Sequence, residues 1–345
     1  MVADTLLDRV LPENQFQGLV SLTVPENSPV AQTTQRAMGT VMTHKAFGLH
    51  AQDSLGAVCS EVVRIEGLLS RFLPDSDISR VNRLAGIESE RVSVETYEVL
   101  SKAVEFSQSF RGCFDVTIAP LVSLWKSGQE ALAQPDEWSI KRVLPLVNFR
   151  DLVLDPREIT AGLRNAGQSV DLGGIGKGFV GDKIVEVLES FGISSAYSNL
   201  GGNVVTVGAK PDGSPWHIGI QHPRQQNGLI GSVSVLGETV VTSGDYQRCF
   251  VDSRGKRHHH ILDPMTGYPA ESGLISVSIV ADRSVTADPL STIVFVAGME
   301  KGLTFLRGFP QTEAILVDSD LHIYVTQGLR FRFQAAKGIA VTILD

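Results

Sequence analysis

Several stretches of this sequence carry residue types at spacings that could do chemistry. One runs Ser169-Val170-Asp171-Leu172-Gly173-Gly174-Ile175-Gly176-Lys177-Gly178. A short strand, a glycine-rich turn and a helix start make a phosphate cradle. The glycines let backbone N–H groups approach an anion, the helix N-terminus adds partial positive charge, and Lys177 can add a full one. A Walker A loop fails here, because Asp171 stands five residues before Gly176 and Gly178 follows Lys177 where Ser or Thr is required. Gly176-Lys177-Gly178-Phe179-Val180-Gly181 matches G-x-G-x-x-G. The acidic residue of a dinucleotide fold, about twenty positions on, is missing from Ala196-Tyr197-Ser198-Asn199. The competing reading is a turn that only lets a helix pack on a sheet. Both stay open on this segment alone.

Asp288 and Thr292, in Ala287-Asp288-Pro289-Leu290-Ser291-Thr292, are four apart at a helix start and share one face. A carboxylate plus a hydroxyl suits a hard cation that keeps water and phosphate oxygens as its other ligands. Ordinary helix capping is the alternative, and on local grounds the favoured one. Arg257-His258-His259-His260-Ile261 invites a metal reading. Strand neighbours, however, point to opposite faces. One histidine acting as a base therefore fits better than a histidine-only metal site, with polar strand residues entering a turn as the plain alternative. Gly112-Cys113-Phe114-Asp115-Val116-Thr117 and Thr242-Ser243-Gly244-Asp245-Tyr246 are polar insertions beside apolar runs, and each alone reads as a turn.

The elements that must position these residues follow from periodicity. Leu55, Val58, Val62, Ile65, Leu69 and Phe72 recur at helical steps after a strand at 40–50. Val94, Tyr97, Leu100, Val104 and Phe110 predict a second helix, and Phe179, Ile184, Val187, Leu188 and Phe191 a third, closed by Gly192. Strand patterns fill 196–282, a helix spans 286–297, and a hairpin turns at Asp318-Ser319-Asp320. Ser169–Leu172 reads as a short strand. Residues 1–36 read as a polar, aperiodic extension, and 37–345 as one domain. Helices and strands mix without strict alternation, so the fold class is α+β.

The chain has 345 residues, a formal charge of −8 and 43% hydrophobic residues. That composition supports a sizeable core and argues against a broad nucleic-acid surface. Cys59, Cys113 and Cys249 make no disulfide framework or cysteine-rich zinc site. No window reaches the apolar length of a membrane span. Asp4, Asp8 and Arg9 interrupt any secretory signal, so a cytoplasmic protein is the expectation, unless a leader was trimmed.

Taken in order, eight segments resemble the ApbE family of FAD:protein FMN transferases: 37–42 (AMGTVM), 68–82 (LLSRFLPDSDISRVN), 112–125 (GCFDVTIAPLVSLW), 170–182 (VDLGGIGKGFVGD), 198–204 (SNLGGNV), 242–248 (TSGDYQR), 259–269 (HHILDPMTGYP) and 287–292 (ADPLST). They span most of the chain from about 37 to 305. The resemblance implies an α+β fold with a T-fold-like pseudo-duplication of mixed sheets and packed helices. It implies FAD as substrate, held with Mg²⁺ on its pyrophosphate. It also implies attack by a threonine hydroxyl of an acceptor flavoprotein on the FMN-side phosphate, with AMP leaving. The acceptor would carry a Ser/Thr-Gly-Ala-Ser/Thr type of motif. Two other outcomes are FAD hydrolysis to FMN and AMP, and a carrier that binds FAD without turnover.

Carried over by motif, Met38, Phe72, Cys113, Phe114, Asp115, Asp171, Lys177 and Ile261 are expected to contact FAD. Gly174 through its carbonyl, with Asp288 and Thr292, is expected to hold Mg²⁺. His260 is expected to be the general base. Phe72 stands where the family usually has Tyr, which keeps stacking and loses a phenol. Gly174 replaces Ser or Ala. Ser291 replaces an acid found in some members, which puts a second metal in doubt.

Overall fold

The computed structural model describes residues 29–110 and 112–344. The expectation for 1–28 lies outside the described residues. A nine-stranded sheet forms the frame, and its spatial order follows the chain: Val30–Ala37, Thr40–Phe47, Ser195–Asn199, Asn203–Gly208, Thr239–Gly244, Leu274–Ala281, Glu313–Asp318, Ile323–Thr326, Val341–Leu344. Neighbours pair antiparallel, except the last two, which run parallel. The other described helices and strands are inserted between successive strands of this meander.

Helices Ala51–Leu69, Gly176–Ser190 and Ser284–Ala297 cover one face of the sheet. The first buries Leu55, Val58, Val62, Ile65 and Leu69, the helical period read from sequence, but ends before Phe72. A three-stranded sheet (Trp216–Gln221, Leu229–Val235, Phe333–Ala335) belongs to a second core on the other face, where Trp216, Ile218 and Val233 pack with Val240, Val280 and Ile315. Covered on both sides, Leu274–Ala281 is buried along its whole length, which is why its sequence is mostly apolar on both faces, with Ser276 and Ser278 buried among Leu, Ile, Val and Ala. A bulge between Leu274 and Ser276 resets its phase, so Ile275 faces the second core while Val277 and Ile279 face the helices.

Two sequence expectations change. Val30–Ala37 is a full edge strand paired with Thr40–Phe47, so the sheet begins inside the segment read as an aperiodic extension. Its sequence, VAQTTQRA, is mostly polar because an edge strand with one covered face needs few apolar positions. Conversely, 169–172 is not a strand: it makes one isolated bridge, Ile118 to Ser169. Its backbone is held by the Asp171 N–H donating to the Val116 carbonyl at 2.9 Å and by a side chain. Asn82 accepts from the Val170 N–H (2.7 Å) and donates to the Val170 carbonyl (3.0 Å), a two-bond clamp in place of a neighbouring strand. Among the described residues, no helix is long and apolar enough to cross a membrane.

Candidate active site

The glycine-rich turn leads into the helix Gly176–Ser190, and its glycines divide by task. A Cβ at Gly178 would stand 2.3 Å from the Ser284 carbonyl oxygen and 2.7 Å from the Asp288 Cβ. One at Gly181 would stand 2.8 Å from the Ser284 Oγ and from the Val205 Cγ1. These two glycines therefore let helices Gly176–Ser190 and Ser284–Ala297 approach backbone to backbone. The second half of the G-x-G-x-x-G match is a packing device, as the plainer sequence reading held. Gly174, just before the match, borders the candidate site. A Cβ at Gly174 would lie 3.0 Å from the Phe114 ring and 3.8 Å from the Thr292 Oγ1, so Gly174 sits between them.

Close approach of the two helices sets Asp288. The Gly178 N–H donates to Asp288 Oδ2 at 2.8 Å, and the side chain is almost fully buried. Capping does not explain Asp288 or Thr292, because both lie past the first turn of their helix. Asp182 does the capping from the neighbouring helix: Oδ1 accepts from the Ser284 N–H (2.7 Å), while Oδ2 accepts from the Val285 N–H (3.2 Å) and pairs with Arg283 (3.1 Å). Burial raises the Asp182 carboxyl above its ordinary value, against those hydrogen bonds. Sequence reading missed Asp182. Its signal was an acid at the interface of two elements, which spacing along the chain does not reveal.

Among the described residues, no group of three or more His, Cys, Asp or Glu could hold a metal. The oxygen set at Gly174, Asp288 and Thr292 is of another kind: a carbonyl, a carboxylate and a hydroxyl on adjoining segments. It fits a hard cation that takes its remaining ligands from water and phosphate, not a zinc-type site.

The histidine run separates as strand geometry demands. His258 is buried, hydrogen-bonded to Asp252 (3.1 Å), with its ring between Trp125 and Phe250. The His258 hydrogen bond, followed by the backbone donors of Lys256 and Arg254, lowers the Asp252 carboxyl to about 2, against desolvation. His259 turns inward to the Ala270 carbonyl (3.0 Å) and packs edge-on to Phe295. His260 alone of the three is exposed. Its Nδ1 lies 3.2 Å from the Arg248 carbonyl, an acceptor, so Nδ1 carries the proton and Nε2 the lone pair. Desolvation, then the Arg248 charge, lowers the imidazole to about 4, with Lys177 contributing. Water reaching the exposed ring softens that shift without changing its direction, so His260 is neutral near pH 7.

Lys177 donates to Asn203 Oδ1 at 3.0 Å. Burial lowers its ammonium, Asp288 pulls it back up, and Arg248 lowers it again. Lys177, Arg248 and His260 thus share one electrostatic neighbourhood with Asp288 opposing. Sequence reading missed Arg248 and Asn203, although both lie in segments it singled out.

The remaining expected residues fall in three settings. Met38 and Gly39 form the hairpin turn, both at positive φ (49° and 71°), as a type I′ turn requires. Met38 is unusual there, and the Glu66 carboxylate fixes its N–H at 2.6 Å. Its methyl would lie 3.6 Å from a Cβ at Gly176, which puts Met38 against the glycine turn. Asp171 accepts from the Gly173 N–H (2.6 Å) and pairs with Arg71 (2.9 Å), tying the turn to the segment that carries Phe72. Phe72 is 71% exposed, with the Arg71 guanidinium 4.8 Å and the Lys126 ammonium 5.7 Å from its ring centre. Cys113, Phe114 and Ile261 are buried side chains of the main core, and burial pushes the Cys113 thiol up. Asp115 is turned inward. Oδ1 accepts from the Thr117 N–H (2.8 Å) and hydroxyl (2.6 Å), and Oδ2 from the Phe149 N–H (3.0 Å). Both of its oxygens thus have partners within the fold, and burial raises its carboxyl.

Comparison with known proteins places this arrangement. Residues 38–316 match the model of the ApbE family, and the chain belongs to that family. It is 34% identical over 297 residues to an FAD:protein FMN transferase of Klebsiella pneumoniae, covering 86% of this chain and 92% of that protein. Similarity to the FAD:protein FMN transferase of Treponema pallidum is 34% over 312 residues, covering 85% of each. Among solved structures, the ApbE protein of Thermotoga maritima superposes with a TM-score of 0.81 at 29% identity, over 88% of this chain and 99% of that one. The flavin transferase ApbE of Vibrio cholerae gives 0.78 at 26% identity, over 88% and 99%.

Proposed function

We propose that this protein transfers the FMN moiety of FAD to a threonine hydroxyl of an acceptor protein and releases AMP. The acceptor oxygen forms a bond to the FMN-side phosphorus, and the bond from that phosphorus to the bridging oxygen breaks. His260 takes the hydroxyl proton at Nε2, where its lone pair is free. A base kept neutral first by desolvation and then by the Arg248 charge, with Lys177 contributing, is ready to accept at pH 7. The same two cations offset the charge of the pyrophosphate and of the departing AMP, which is most of what phosphoryl-type transfer asks of a protein. Phe72, exposed and flanked by Arg71 and Lys126, suits stacking on a flat ring of FAD. Met38 and Phe114 border the glycine turn that would receive the phosphates. Asp115 acts on this reading by bracing its loop, and Asp171 by bracing the turn.

The Gly174 carbonyl, Asp288 and Thr292 would hold Mg²⁺, which when bound neutralises pyrophosphate charge. The observations that carry the reading are that Gly174 lies against Thr292, that Asp288 and Arg248 both act on the Lys177 ammonium, and that Arg248 and Lys177 act on His260. The acceptor would present a Ser/Thr-Gly-Ala-Ser/Thr type of motif. We place the reaction in the cytoplasm on the same footing, consistent with Cys59, Cys113 and Cys249 being free thiols.

The test is incubation with FAD, Mg²⁺ and an acceptor fragment bearing that motif, followed by a denaturing gel viewed for flavin fluorescence. A fluorescent acceptor band that disappears on chelation, and on Thr-to-Ala substitution in the acceptor, is the expected result. AMP and FMN without a band would identify a hydrolase instead. Bound FAD with neither product would identify a carrier.

A further inference from the structure

Behind Thr292 lies a chain of hydroxyls whose protons can be assigned by counting. The Ser291 hydroxyl donates to the Asp288 carbonyl oxygen at 2.8 Å. Ser243 and Ser291 oxygens are 2.7 Å apart, and Ser243 and Thr292 oxygens 3.3 Å apart. A hydroxyl has one proton to give. Ser291 has given its own to Asp288, so Ser243 must donate to Ser291. Ser243 then has none left, so Thr292 must donate to Ser243. Back-bonding of Thr292 to the carbonyl one turn earlier, a common resting place for a helical threonine, meets competition because that carbonyl is the Asp288 oxygen already serving Ser291.

We infer that Ser243 and Ser291 are positioning residues that turn the Thr292 proton away from the site, leaving its oxygen lone pairs to face a divalent cation. Neither serine needs to touch the cation. Ser291 is fully buried, and Ser243 comes from strand Thr239–Gly244, against which helix Ser284–Ala297 packs. The strand thus orients a hydroxyl on the helix. This gives a task to the Thr242–Tyr246 segment, which by sequence alone reads as a turn, and to Ser291, which sequence reading treated as a missing acid.

This inference rests on the assignment of Thr292 to a cation seat, so the experiment separates the two. Mn²⁺ is titrated into the FAD-loaded protein, and free Mn²⁺ is followed by electron paramagnetic resonance, with thermal melts confirming that each variant is folded. The relay predicts that Ser243→Ala and Ser291→Ala each weaken Mn²⁺ binding by about tenfold, the size of effect typical for groups that orient a ligand. It further predicts that Ser243→Ala adds nothing further in a Thr292→Val background, since its effect passes through Thr292. Wild-type Mn²⁺ binding by Ser243→Ala, with weakened binding by Thr292→Val, would overturn the relay and leave the cation seat standing. Unchanged binding by Thr292→Val would remove the seat, and the relay with it.

Discussion

Gly178→Ala probes the contact on which the site depends. The added Cβ would stand 2.3 Å from the Ser284 carbonyl oxygen and 2.7 Å from the Asp288 Cβ. Ordinary carbon contacts begin near ~3.5 Å, so helices Gly176–Ser190 and Ser284–Ala297 must part by about 1 Å. Neither obstacle is a flexible side-chain tip that could swing aside. Overpacking of this kind costs about 1–3 kcal/mol. The 2.8 Å hydrogen bond from Gly178 to Asp288 stretches as well. A bond to a charged group contributes about 1.5–3 kcal/mol, and only part of it is lost. The total is about 2–5 kcal/mol, which for a chain of this size lowers the melting temperature by roughly 3–7 °C. Differential scanning calorimetry reads the shift, with Gly56→Ala as control. Gly56 is an exposed helix residue with nothing within 4 Å of an added Cβ, so alanine there should gain about 0.5–1 kcal/mol. Equal melting temperatures for Gly178→Ala and wild type would refute the close-packing assignment.

Further outcomes follow from the same geometry. Because the His260 imidazole is lowered below its ordinary value, its proposed role as an unprotonated base predicts that turnover persists as pH falls below 6 and fails only at more acid pH. Arg248→Gln should move that acid limb upward, toward the ordinary histidine value, in a pH–rate profile. Phe72→Ala should leave the melting temperature nearly unchanged, since the ring is exposed, yet weaken FAD binding by about 5–150-fold, the range for loss of one base–aromatic stack. Fluorescence titration with FAD reads this, and wild-type affinity would remove Phe72 from the site. Asp182→Ala strips the cap from Ser284 and Val285 and should destabilise by about 1–2 kcal/mol, visible in urea unfolding.

Much of the frame was legible because burial writes itself into periodicity. The helix Ala51–Leu69 buries one stripe and so shows three- and four-residue steps. The strand Leu274–Ala281 is covered on both faces and so carries apolar residues on both, around the buried Ser276 and Ser278. Edge strand Val30–Ala37 was not legible, because a half-exposed polar strand resembles an extension. The alternation at 169–172 misled for the opposite reason: buried Val170 and Leu172 between polar neighbours look like a strand, while Asn82 and the Val116 carbonyl supplied the partners. In the site, motif order located the glycine turn, Asp288, Thr292 and His260. The supports were hidden. Glu66 holds Met38, Arg71 holds Asp171, Asp182 caps a distant helix, and Arg248 faces His260. Each acts across a long stretch of chain, and pairing of that kind leaves no periodic trace in a single sequence.

The most direct test of the central assignment is to measure AMP release and acceptor mass together, for wild type and for Asp288→Asn, with FAD and Mg²⁺ present. The site described here predicts one AMP for each FMN-bearing acceptor in the wild type. In Asp288→Asn both products should be lost, while the fold and its melting profile survive. Equal AMP release and acceptor labelling by Asp288→Asn would contradict the assignment of the reaction to this cluster of oxygen donors.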